Sequence, residues 1–171
     1  MNSTILHPEY FQIFSEDESK TFFGCDQEWY RSHWQRISGC GPTAASNLMY
    51  YISRSKQAES GVPMADNKEE CLTLMEKVWS YVTPTQQGVD TTKRFVDSLG
   101  KYLDELQLKA ELRVLNVAKD IKKRPTVEDV VTFLDRAMRS DAPIAFLNLC
   151  NGEETALEEW HWVTIISLEF N

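Results

Sequence analysis

The chain has 171 residues, enough for one domain burying about two thirds of the surface its unfolded form exposes, and its 42% hydrophobic and 11% aromatic content argues against disorder. Eighteen basic residues against 26 acidic ones leave a formal net charge of -8, a field that repels nucleic-acid backbones and anionic membranes. No stretch approaches the ~18 apolar residues of a membrane span, and the start MNSTILHPEYFQIF lacks the basic and apolar regions of a secretory signal, so a cytoplasmic location is expected, with neither nucleic acid nor membrane as partner.

Along the chain, EWYRSHWQR around His33 reads as a polar loop leading to the first clear element. That element is a helix starting at Cys40 or Gly41, with Ala44, Ala45, Leu48 and Ile52 on one face. Pro42 is tolerated in its first turn because no intrahelical partner awaits that nitrogen. The polar stretch Arg54 to Lys68, with Gly61 and Pro63, predicts a loop. A second helix starts at Asn67, a cap with Glu70 three residues on, and buries Cys71, Leu74, Met75, Val78, Trp79 and Val82. Cys71 reads there as a small core residue.

Pro84 and Gly88 mark Thr83 to Asp90 as a loop. A third helix follows, with Phe95, Val96, Leu99, Leu103 and Leu106 inward, and Gly100 weakening it by about 1 kcal/mol relative to alanine. Leu108 to Val117 predicts a strand, and the basic run Lys119 to Arg124 a solvated loop. The fourth helix follows Thr126 and aligns Val127, Val130, Val131, Leu134 and Met138. Pro143 to Leu149 and Trp160 to Phe170 predict strands that pair through the polar connection Cys150 to Glu159. With helices first, a mostly C-terminal antiparallel sheet and no domain boundary, residues 1–171 read as one α+β domain.

The four cysteines, Cys25, Cys40, Cys71 and Cys150, form no CxxC pair and no regular spacing, so free thiols are expected, with no metal site and no cofactor. Cys40 stands apart because it opens a helix in the run QRISGCGPTAAS. Unpaired amides and the positive end of the helix dipole favour a thiolate there. Gly39 and Gly41 would let a substrate carbonyl approach the sulfur, and the Cys40 N–H would face a developing oxyanion.

Such a nucleophile needs a proton carrier, and the chain offers His7, His33 and His161. His7 precedes Pro8 in a segment expected to be exposed. His161 opens WHWVTIISL, where alternation sets His161, Val163 and Ile165 on one face of an apolar strand. Alone it reads equally as a core histidine with hydrogen-bond partners or as a catalytic group; beside Cys40 it reads as the catalytic group. Gln35, five positions before Cys40, is the expected second oxyanion donor.

Gln35, Cys40-Gly41-Pro42-Thr43 and His161-Trp162-Val163 resemble the papain-like cysteine peptidases, within them the bacteriocin-leader (double-glycine) peptidases and their stand-alone relatives. His161 follows Cys40 by 121 residues, somewhat under the ~130 to 150 of papain. The resemblance implies a papain-like fold, the cysteine helix packed on a sheet that carries the histidine, and hydrolysis of a peptide or protein substrate through an acyl-enzyme. The family's orienting Asp or Asn usually lies more than ten residues beyond the histidine, while this sequence runs ten residues past it. Asn171, Glu169, a backbone carbonyl or a residue beyond the sequence remain as alternatives for that role. Two other functions use the same residues: a papain-fold acyltransferase resembling transglutaminases or phytochelatin synthases, and an inactive peptide-binding module with Trp29, Trp34, Trp160 and Trp162 at its margins. The sequence carries no signal of oligomeric state.

Overall fold

The structure, a computed structural model, describes residues 2–60, 66–150 and 156–170. These residues form an α+β arrangement of five α-helices and three two-stranded antiparallel sheets. Strand β1 (Asn2–Thr4) pairs with β6 (Ser167–Glu169), β2 (Gln12–Phe14) with β3 (Thr21–Phe23), and β4 (Ile144–Asn148) with β5 (His161–Ile165). The helices are α1 (His33–Ser38), α2 (Cys40–Ser60), α3 (Lys68–Trp79), α4 (Thr92–Glu105) and α5 (Val127–Arg139).

Helix α2 is the centre of the molecule, packing on β5, β4, α3 and α4. One apolar cluster joins Ala44, Ala45 and Met49 of α2 to Val78, Phe95, Leu99 and Trp162. A second, behind the β2–β3 hairpin, holds Ile13, Cys25, Tyr30, Tyr50, Cys71 and Met75. A third joins Ile5, Phe11, Tyr51 and Met138, with Ile144 and Ile165 at its edge. The strand β5 therefore splits by parity: Trp162 enters the α2 cluster, while Ile165 meets the α5 side.

Local chemistry explains the helix starts. The Asn67 side chain accepts from the Glu70 amide at 3.0 Å, and Thr126 and Asp129 form a reciprocal capping box ahead of α5. Thr91 caps α4 by accepting from the Arg94 amide.

Several expectations are corrected. Residues 108–117 form no strand: Leu108 folds against the α2 cluster, and Leu112, Val114 and Val117 are exposed without a ladder partner among the described residues. Their alternation satisfies a local preference, but a strand needs a neighbour to accept its backbone bonds. Helix α2 runs through the start of the loop expected from Arg54, and Gly61 and Pro63 lie outside the described residues. The segment around His33 is α1 rather than a loop, begun by a Ser32 capping box. Strands β1, β2 and β3 are three residues each, too short to show a period in sequence.

Candidate functional site

Helices α1 and α2 meet at Gly39, and the reason lies three residues on. Pro42 has no N–H to give the Ser38 carbonyl, and its ring would collide with that carbonyl in a continuous helix. The chain breaks at Gly39 and restarts at Cys40, with the Thr43 amide bonding the Gly39 carbonyl at 2.8 Å. The amides of Cys40 and Gly41 are then the orphan donors of a helix start, beside a partly exposed thiol.

The two flanking glycines serve packing. A Cβ on Gly39 would lie 2.4 Å from the Gln35 carbonyl oxygen and 2.9 Å from Tyr30 Cε2. One on Gly41 would lie 2.8 Å from Val89 Cβ and Cγ2 and 3.4 Å from Trp162 Cδ1. The expectation that both positions open the way to the sulfur is replaced by this tighter requirement.

Cys40 lines a cleft of about 570 Å³ together with His161. One wall is β5, held by two anchors, one to α4 and the loop before it and one to α2. Trp162 stacks on Phe95 with ring centroids 4.3 Å apart, and its Nε1 donates to the Val89 carbonyl at 2.6 Å. Asn47, two turns beyond Cys40 in α2, donates through Nδ2 to Thr164 Oγ1 at 3.1 Å. The same Asn47 accepts through Oδ1 from the Cys25 amide at 2.7 Å, so one side chain fixes both walls. Gly24 turns this second wall with φ of 81°, and its amide bonds the Phe11 carbonyl at 2.7 Å.

Gln27 follows in that wall, in a 3-10 turn capped by Asp26, and lines the cleft. Its Nε2 donates to the Arg36 carbonyl at 2.7 Å, which holds the carboxamide in place and leaves a second N–H of the same nitrogen. His161 faces a carboxylate: Nδ1 lies 3.8 Å from Glu158 Oε2, and the Glu158 carbonyl accepts from Asn148 Nδ2 at 2.7 Å. Asn148 is buried and directly opposite His161 across the β4–β5 pair.

The structure thus brings Cys40 and His161 to one cleft and leaves Gln35 out of its lining. Gln35 sits in the first turn of α1, where side chains lean back toward the N-terminus. Its Oε1 accepts from the Ser32 amide at 3.1 Å, and its Nε2 donates to Glu76 Oε2 at 2.6 Å. Glu169 is on β6 opposite Asn2, away from the cleft lining, and Asn171 lies outside the described residues. His33 is exposed at the start of α1. His7 stacks on Tyr10 and is half-exposed, 2.9 Å from Glu9. Of the four tryptophans expected at the margins, Trp162 is core, Trp29 packs edge-on against Phe22, and Trp34 and Trp160 are exposed.

Sequence reading missed Gln27, Asn47, Asn148 and Glu158. The run GCDQEW carried a signal for Gln27, since a glycine turn and an aspartate cap fix the residue that follows.

A second concavity, about 440 Å³ and lined by Ser15, Glu16, Glu18, Asp66 and Glu69 among others, offers neither thiol nor imidazole. Among the described residues no three His, Cys, Asp or Glu side chains are placed to hold a metal ion, and no helix is long and apolar enough to cross a membrane. The chain matches no protein-family model, no curated protein and no solved structure.

Proposed function

We propose that the protein is a cysteine peptidase of papain-like fold, with Cys40 as nucleophile and His161 as proton carrier. The observation that carries this reading is the placement of Cys40, at the start of α2, in one cleft with His161 and Gln27. The Cys40 thiolate attacks the carbonyl carbon of a peptide bond and forms a thioester as the amine departs with a proton from imidazolium. The Cys40 amide and the second N–H of Gln27 Nε2 receive the oxyanion, taking the part the sequence had suggested for Gln35. Water, deprotonated by His161, then releases the acid and restores the thiol. Glu158, its backbone held by Asn148, orients the imidazole.

The test is the rate of Cys40 alkylation by iodoacetamide against pH, mapped by mass spectrometry, in the parent and in His161→Ala. A Cys40 that reacts well below pH 7, and loses that reactivity without His161, supports a coupled pair and directs a peptide-library screen. Product analysis with and without an added amine then separates hydrolysis from acyl transfer. A Cys40 that titrates as an ordinary thiol near ~8.5 in both proteins overturns the reading.

A further inference from the structure

Two cysteines outside the proposed chemistry lie against each other. Cys25 leaves β3 in the wall loop of the cleft, Cys71 is in the first turn of α3, and their Sγ atoms are 2.8 Å apart across 46 positions of sequence. That separation is within about 1 Å of the ~2.05 Å of an S–S bond. Both are buried among Ile13, Tyr30, Tyr50 and Met75, yet they differ in access: Cys71 is sealed, whereas Cys25 borders the cleft. The Cys25 amide is fixed by Asn47 and Cys71 by its helix, so the contact is held by the scaffold from both sides.

We propose that Cys25 and Cys71 form a redox modification site, in which a peroxide entering through the cleft converts the two thiols to a disulfide. The Cys25 sulfur, as thiolate, attacks one peroxide oxygen; the O–O bond breaks, leaving a sulfenic acid and, after protonation, water. Cys71 sulfur then attacks that sulfenic sulfur, the S–S bond forms, and hydroxide leaves with the Cys71 proton as a second water. Two thiols lose two electrons and the peroxide gains them. Burial pushes the Cys25 thiol up, so the first step is slow at neutral pH and speeds as pH rises. The bond ties the wall carrying Gln27 to α3, and a dithiol reductant reverses it. The site stands on the sulfur geometry and does not depend on the peptidase reading.

A Cys40→Ser, Cys150→Ser variant of the full chain leaves only these two thiols. Treated with millimolar hydrogen peroxide for hours at pH 8, folded protein should lose both titratable thiols, lose two mass units, and yield a Cys25–Cys71 cross-linked peptide. Its melting temperature should rise by about 5–10 °C and return to the starting value after reduction. Adding Cys71→Ser should instead leave a Cys25 sulfenic acid that dimedone traps. Two thiols still titratable after treatment, or a mass gain of oxygen atoms without the cross-link, overturns the proposal. The parent provides a second check: a cross-link joining Cys25 to Cys40 in place of Cys71 overturns it equally.

Discussion

Gly41 and Gly100 make the packing account measurable, because the same substitution should act with opposite sign at the two positions. Both lie within helices, where alanine is favoured over glycine by up to about 1 kcal/mol. A Cβ at Gly100 meets nothing within 4 Å, so Gly100→Ala should stabilise by about 0.5–1 kcal/mol. At Gly41 the added carbon would sit 2.8 Å from two atoms of Val89, a residue with only 3% of its surface exposed and unable to swing into solvent. Overpacking of that kind costs about 1–3 kcal/mol, which exceeds the propensity gain and leaves a net loss of about 1–2 kcal/mol. For a chain of this size each kcal/mol moves the melting temperature by about 2–4 °C. Calorimetry should therefore show Gly100→Ala melting about 1–4 °C higher than the parent and Gly41→Ala about 2–8 °C lower. If Gly41→Ala melts at or above the parent while losing turnover, glycine is there to admit a substrate, and the packing argument is refuted.

Trp162→Phe keeps the stacking on Phe95 but leaves the buried Val89 carbonyl without its donor; the urea midpoint should fall by the equivalent of about 1–3 kcal/mol, and an unchanged midpoint would disprove the anchor. Asn47→Leu removes the bonds to Cys25 and Thr164 together and should cost about 2–4 kcal/mol, more than Thr164→Val, which removes one; equal losses would show that Asn47 does not join the two walls. Burial raises the phenol of Tyr50 to about 12 and those of Tyr30 and Tyr51 further still. Their stabilising contribution is complete below the unfolded value near ~10 and is lost as pH climbs toward the folded values, because the unfolded chain releases these protons first. Urea melts should show stability dropping from pH 10 to 12, by up to about 1.4 kcal/mol per unit for each phenol, with a shallower fall in Tyr50→Phe; a parallel fall in that variant would contradict the assignment.

The parts of the fold that could be read in advance are those with local causes. Asn67 and Thr126 cap where their side chains reach an amide three residues on, and Pro42 forces a helix start whatever the surroundings. Pairing is different. Residues 108–117 alternate as a strand does but find no ladder, whereas the three-residue strands β1 and β6 show little pattern and pair across almost the whole described chain. The site divides in the same way. Cys40 is marked by its own neighbours and His161 by its strand, but Gln27 reaches the cleft only because α1 carries the intervening chain away and back. Proximity in sequence favoured Gln35, and the helix turned that side chain toward Ser32 and Glu76.

The cleft also has a folding order written into it. Helix α2 is local and can form early, while β5 must cross more than a hundred residues of chain to reach the same helix, a closure that loop entropy makes slow. As the chain leaves the ribosome, the thiol emerges long before the imidazole that would share its cleft. A nascent chain therefore carries Cys40 without His161, and the two meet only once Trp162 has locked against Gly41 and Val89.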